Sequence, residues 1–257
     1  MKLSLCLAVY NEEKFLHYAL DSAVEMVDEV IIVDGGSSDK TVSIAKSYGK
    51  KVKIIETDNP IIFHKNKQKA IEAAKGDWIL QLDADESLSS ELRKEIEQTI
   101  DGWHAGKAVA YWIPRKNYFL GTFLTKGGVY PDMTIRLYKN GVAHFPCLTV
   151  HENVEIEGPV GTLKNDLLHY ADPDFDRYLI RWNRYTTLDA ELMVKNGQKP
   201  GFLDYFIVKP IITFFSMYIR HKGIMDGYQG FVFAFFSALR HLVIYIKVRA
   251  YHDKNRS

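Results

Sequence analysis

Four apolar runs rich in β-formers alternate with helical patterns between Leu3 and Glu86, and each run ends in a polar or acidic loop. The first, Leu3–Val9, is broken by Tyr10-Asn11. Phe15, Leu16, Ala19, Leu20 and Ala23 then follow helical spacing, with Asn11 as the expected cap and Glu12 and Glu13 in the first turn. Residues 29–33 form a second run that ends in Asp34-Gly35-Gly36-Ser37-Ser38-Asp39, after which a helix is expected through Tyr48. A third strand is expected over Val52–Glu56 and a helix over 64–74; Lys75-Gly76-Asp77 then leads into the fourth strand. This alternation predicts an α/β fold, a mostly parallel sheet with helices on both faces. Ligands of such sheets bind beyond the carboxyl ends of the strands. Those ends are residues 9–12, 34–39, 57–60 and 83–86.

The fourth run, Trp78-Ile79-Leu80-Gln81-Leu82-Asp83-Ala84-Asp85-Glu86, passes from β-formers into three carboxylates. If the strand continues, Asp83 and Asp85 point the same way, with the small Ala84 between them, and can hold a hard divalent cation and a phosphate-bearing ligand. A blander reading also fits: a strand followed by an acidic helix entry, with Ser89 capping a helix that starts near Glu91.

After Gly102 the pattern changes. Residues 108–114, 133–138 and 142–145 read as strands, with Lys139-Asn140-Gly141 as a hairpin turn. Further strands are expected around 150–152 and over 163–170, and the chain reads as helical from Phe175. At 47% hydrophobic and 25% charged residues it can bury a sizeable core. The net charge of +1 gives no general affinity for nucleic acid, but it is unevenly spread. Residues 175–257 hold 13 Lys and Arg against 6 Asp and Glu, whereas 1–174 hold 20 against 26. Such asymmetry points to different partners for the two parts. Two cysteines, Cys6 and Cys147, make no metal-ligand spacing or disulfide framework, and no leader precedes the first strand, so a cytosolic protein is expected.

Residues 202–219 and 231–246 are strongly aromatic and aliphatic. Lys209-Pro210 interrupts the first run and Arg240-His241 the second, so neither offers the roughly 20 uninterrupted apolar residues of a spanning helix. With Arg220, His221, Lys222, Lys247 and Arg249 beside them, two readings stand: helices lying in an anionic membrane interface, which the charge balance favours, or a helical hairpin packed on the rest of the protein.

Three ordered motifs carry a resemblance. Leu7-Ala8-Val9-Tyr10-Asn11-Glu12, Val33-Asp34-Gly35-Gly36-Ser37-Ser38-Asp39-Lys40-Thr41 and Ala74-Lys75-Gly76-Asp77 running into the acidic segment resemble family 2 glycosyltransferases, inverting enzymes of GT-A fold. The later segments Ile135-Arg136-Leu137-Tyr138, Val150-His151-Glu152, Leu168-His169-Tyr170 and Gly223-Ile224-Met225-Asp226-Gly227-Tyr228-Gln229-Gly230 are similar to the bacterial subgroup that builds the lipopolysaccharide core. The resemblance implies a GT-A catalytic domain over residues 1–172, with 173–257 as a helical extension. It implies transfer of a sugar, glucose from UDP-glucose being favoured, to a lipopolysaccharide-core or other glycolipid acceptor at the cytoplasmic face of the inner membrane.

The resemblance also assigns roles. Asp85 becomes the direct ligand of Mg²⁺ or Mn²⁺, and Asp83 contacts the ribose or the metal shell. Asp34 hydrogen-bonds the nucleobase in a pocket that includes Val9 and Asn11; the competing reading is an Asx-turn closing the Gly35-Gly36 loop. Ala8, Glu12, Gly35 and Ala84 complete the donor set. Lys65 and Lys67 either reach base or phosphate or form a solvated cationic face. The acceptor hydroxyl needs a general base. Glu152 is the candidate and Asp132 the alternative, because His151-Glu152 stands where the family often has Glu-Asp. His151 then orients Glu152 or binds donor phosphate. His169 either completes the metal shell as a neutral imidazole or is a core histidine. Arg136 pairs with diphosphate, with a catalytic carboxylate, or in a structural ion pair. Two other functions compete. A nucleotidyltransferase would carry a Gly-rich, basic phosphate loop after the first strand, where this chain has Ala8-Val9-Tyr10-Asn11-Glu12-Glu13. A non-catalytic sugar-nucleotide binder would have little use for Asp83, Asp85 and Glu152 together.

Overall fold

The computed structural model describes residues 1–147 and 153–254. It divides into two compact units, one of residues 1–115 and 132–170, the other of residues 116–131 and 171–257. One division falls beside the boundary expected after residue 172, and 116–131 groups with the C-terminal helices.

The first unit opens with β1 (Leu3–Val9), α1 (Leu16–Ala23), β2 (Glu29–Asp34), α2 (Thr41–Ser47), β3 (Val52–Glu56), α3 (His64–Ala73) and β4 (Trp78–Gln81). It continues with β5 (Glu86–Leu88), α4 (Ser90–Asp101) and β6 (Ala110–Phe119), whose end passes into the second unit with β7 (Thr122–Phe123). Then come β8 (Asp132–Lys139), β9 (Ala143–His144), β10 (Glu155–Ile156), β11 (Val160–Thr162) and β12 (Leu167–Asp172). The sheet order is β3-β2-β1-β4-β8-β6-β12-β5, with β7 and β11 on β6. The β3-β2-β1-β4 half is parallel, as the sequence alternation predicts. β8 runs antiparallel between β4 and β6.

Period-two alternation sends the two sides of each strand into different cores. Leu5 and Leu7 pack with Leu16 and Leu20 of α1 and Leu92 and Ile96 of α4. Cys6, Ile31 and Val33 face the other way, onto Ala70 and Ile71 of α3. Every residue of β2 is buried, which suits a strand covered on both faces. At the opposite edge from the ligand loops, Glu29 ties three segments together. It accepts from Ser4 Oγ (2.8 Å), Lys53 Nζ (2.7 Å) and the Lys75 amide (2.6 Å). Burial works against this carboxylate, but its donors, led by Lys53, pull its pKa down to about 2. Gly76 is required here, because a Cβ would sit 2.6 Å from Ser4 Oγ and 2.9 Å from the Ser4 amide nitrogen.

Three local expectations change. Asn11 does not cap α1; it sits at φ +54° and accepts from the Ser38 amide, so it joins the β1 and β2 loops instead. The Lys139-Asn140-Gly141 turn forms, but β9 pairs with β10 rather than folding back on β8, whose sides are taken by β4 and β6. β4 stops at Gln81, so Asp83 and Asp85 do not ride a continuing strand. Ser89 does cap α4, accepting from the Leu92 amide at 3.1 Å. The strand expected at 150–152 lies outside the described residues.

In the second unit, α5 (Phe175–Lys195) is capped by Asp174, and α6 (Lys209–Phe215) lies between two π-helical turns, Asp204–Val208 and Ser216–Arg220. A 3₁₀ turn at Gly223–Asp226 leads into α7 (Gly227–Lys254). Phe119 and Leu124 are buried with Tyr178 and Val232. The Asp226 carboxylate accepts from the Thr125 amide (3.1 Å), the Thr125 hydroxyl (3.1 Å) and the Lys126 amide (2.8 Å). Gly230 has no alternative, because a Cβ would fall 1.9 Å from the Gly223 carbonyl oxygen.

Candidate active site

The loops after β1 and β2 are laced together at the carboxyl edge of the sheet. Val9 pairs with Asp34 in register, and the Gly35 amide donates to the Val9 carbonyl. Asp34 is buried and accepts from the Gly36 amide (3.0 Å), the Ser37 amide (2.9 Å) and the Ser37 hydroxyl (2.5 Å), so its turn-closing role is present. Gly35 lies against Asn59. Glu12 is tied in through its amide, which donates to Thr41 Oγ1 at 2.7 Å. Ala8 sits within β1.

The acidic segment turns sharply. The Glu86 amide donates to the Asp83 carbonyl, and Glu86 Oε2 accepts from the Asp83 amide. The turn gives the three carboxylates different surroundings, with Ala84 buried between them. Asp83 is clamped by Lys67 Nζ at 2.5 Å and Arg136 at 2.6 Å. Burial disfavours its charge, but Arg136 and then Lys67 outweigh that and hold its pKa well below the usual carboxylate range. Lys67 is itself buried, which lowers its pKa against the pull of Asp83, whereas Lys65 is exposed. Glu86 is fully buried and accepts from both Arg136 (2.7 Å) and Arg115 (3.0 Å). Arg136 also donates to Gln81 Oε1 at 2.7 Å. Arg115 reaches on to Asp132 through Nε (3.0 Å) and a terminal nitrogen (2.6 Å). The structural ion pair anticipated for Arg136 is therefore formed.

Asp85 lies apart from this network. β5 pairs antiparallel with β12, setting His169 opposite Glu86, and the Tyr170 amide donates to the Asp85 carbonyl. That register brings His169 Nε2 to 3.5 Å from Asp85 Oδ1, both side chains being partly exposed. An oxygen and an imidazole nitrogen at this separation suit a divalent cation that takes its other ligands from a diphosphate. Among the described residues no three His, Cys, Asp or Glu side chains converge. Asp83 has both oxygens on cations, Oδ1 on Lys67 and Oδ2 on Arg136.

A cavity of about 240 Å³ opens over the charged network, lined by Phe63, Lys67, Asp83, Trp112, Arg115 and Arg136 among others. It presents cations and aromatic surface together, as a phosphate-bearing sugar ligand requires. Glu152 and His151 lie outside the described residues. Gln81, Glu86 and Arg115 take part although the sequence did not single them out. Glu86 carried a signal as the last acid of the run; Arg115 had none, since its pairing with Asp132 follows from the β6–β8 register.

The sequence profile described as glycosyl transferase family 2 matches residues 4–147. The lipopolysaccharide core biosynthesis glycosyltransferase LpsC of Rhizobium meliloti is 29% identical over 257 aligned positions, covering 93% of this chain and 92% of its own. An uncharacterized glycosyltransferase of Rickettsia conorii is 30% identical, covering 93% and 88%. Among solved structures, the mannosyltransferase PcManGT of Pyrobaculum calidifontis shares the fold with a TM-score of 0.55 at 11% identity, covering 96% of this chain and 86% of its own. With a mixed sheet whose parallel half carries the three motifs at its carboxyl edge, and a profile match over more than half its length, the chain belongs to glycosyl transferase family 2 and is a glycosyltransferase.

Proposed function

We propose that the enzyme is metal-dependent and inverting, and that it moves glucose from UDP-glucose to a lipopolysaccharide-core or other cell-envelope acceptor at the cytoplasmic face of the inner membrane. The observation that carries this reading is the Asp85–His169 pair at the carboxyl edge of the sheet. Three named relatives support it. LpsC acts in lipopolysaccharide core biosynthesis by its name, S. aureus TarS 1-349 was solved with UDP, and PcManGT was solved with GDP-Man and Mn²⁺.

Asp85 and His169 would hold Mg²⁺ or Mn²⁺, which supplies Lewis-acid stabilisation of a departing diphosphate. The rest falls to the chain. The loops around Val9, Asn11, Asp34 and Gly35 seat the nucleoside. Lys67 and Arg136 hold Asp83 rigid and add positive potential where the phosphates lie. The acceptor hydroxyl loses its proton to Glu152 or to Asp132, which Arg115 keeps oriented. Attack on the side opposite the leaving group inverts the anomeric centre.

The test is release of nucleotide and transfer of sugar across a panel of nucleotide sugars, with Mn²⁺, Mg²⁺ or EDTA, in wild type and Asp85→Asn. Metal-dependent turnover of one donor is expected, reduced roughly 10²-fold in the variant, the scale of losing one preorganised electrostatic contact to a leaving group. Wild-type turnover in Asp85→Asn overturns the metal assignment. Calorimetric binding of a donor, with no turnover on any acceptor, would favour the non-catalytic binder.

A further inference from the structure

The second unit carries an apolar surface that the protein leaves bare. No residue of the stretch Asp204–Arg220 is buried. Leu203, Ile212 and Phe215 are 66%, 61% and 57% exposed. The inner side of this stretch does pack on α7, through Phe206 on Tyr245 and Phe214 on Phe231. The outer side is exposed, with Ile211, Ile212 and Ile219 each more than half exposed.

α7 is three-sided. Val232, Ala234, Ala238, Ile244 and Val248 are buried. Arg240 pairs with Asp189 of α5, and Lys247 donates to Asn183, Thr186 and Thr187 of the same helix. The remaining side sets Tyr228, Phe231 and Phe235 at i, i+3 and i+7, all exposed. An apolar cleft of about 300 Å³ lies between α6 and α7, lined by Phe206, Ile211, Phe214, Phe215, Phe235 and Leu239 among others.

Charge identifies what covers this surface. Arg220, His221 and Lys222 are exposed where the two helical runs meet, and Arg249 is exposed near the far end of α7. Over residues 202–222 the one carboxylate, Asp204, is paired to Lys209 at 3.0 Å. An exposed aromatic-aliphatic face with an exposed cationic rim is complementary to an anionic lipid surface. Length alone would also allow a span, since the helical stretch 223–252 contains an 18-residue window of mean hydropathy 1.7. Arg240-His241 still interrupts its apolar run, as read from the sequence. The polar sockets of Arg240 and Lys247 on α5 argue against it, because a spanning α7 would carry both into the hydrocarbon.

We propose that the outer side of the Asp204–Arg220 stretch and the Tyr228-Phe231-Phe235 side of α7 form one docking surface for an anionic bilayer, which the protein enters shallowly without crossing. This deepens the reading of an envelope glycosyltransferase by naming the surface that meets the membrane. Its test is separate from catalysis. The full chain is floated with vesicles of phosphatidylglycerol mixed with phosphatidylcholine, and with vesicles of phosphatidylcholine alone, at low and high ionic strength. Binding is expected to the anionic vesicles at low salt. Ile212→Glu with Phe215→Glu should weaken it at least tenfold, as should Arg220→Glu with Lys222→Glu. The four positions are exposed, so circular dichroism and thermal midpoint should stay at wild-type values. No binding to anionic vesicles, or binding indifferent to both double variants, overturns the proposal. So does light scattering that shows a dimer dissolved by the Glu pair while vesicle binding persists, since the face would then belong to a second copy. Loss of donor turnover bears on the metal site and leaves this result untouched.

Discussion

At the scale of single residues, the charged network around Asp83 makes the sharpest predictions. Arg136 is buried and serves Gln81, Asp83 and Glu86 at once. Arg136→Met leaves the fully buried Glu86 with Arg115 and the Asp83 amide, without its second guanidinium, and should cost about 3–5 kcal/mol, read as a fall in urea midpoint with unchanged slope. Glu29 has a depressed folded-state pKa, so its stabilisation is present above the unfolded value and fades as pH drops through the folded one. Between roughly pH 4.5 and 2 the wild type should lose on the order of 2 kcal/mol that Glu29→Gln does not, after discounting for solvent around the half-exposed Lys53. Chemical denaturation across that range measures it. Ser89 and Asp34 were legible in the sequence because caps and Asx-turns are local. Arg115 was not, because its partners Glu86 and Asp132 are 29 and 17 positions away and meet it only through strand register.

At the scale of elements, alternation of apolar runs and helical patterns was enough to place β1 to β4 and the helices between them. It failed where an element's partner is set by the whole sheet. β9 follows a good turn yet pairs with β10, and β4 gives way to a turn two residues before Asp83 because Glu86 must come round to Arg136. The segment Gly223 to Gly230, noticed in the sequence only as a family mark, proves to be a fastener. Asp226 closes on the 125–126 backbone, and Gly223 and Gly230 touch with no room for a side chain. Asp226→Ala leaves two amides and a hydroxyl without this acceptor and should cost about 1–3 kcal/mol, with faster proteolysis near Gly127-Gly128 as the local sign.

At the scale of the molecule, the charge asymmetry read from composition has a structural counterpart: acids in the loops after β1, β2 and β4, cations beside exposed apolar helices. The grouping of residues 116–131 with the C-terminal helices has a physical reason. Phe119 and Leu124 are 1% and 2% exposed, and their neighbours Tyr178 and Val232 come from α5 and α7. A chain ended at residue 172 should therefore expose them, bind ANS and aggregate, whereas a fold with an independent 1–172 domain would unfold cooperatively from a monomer. The same feature sets a timetable during synthesis. Thr125 must wait for Asp226, 101 positions later, which at ribosomal speeds is roughly 5–20 s. For that interval the nascent chain carries an uncovered aromatic strand end, and whatever shields it in the cell acts before the last helix has been made.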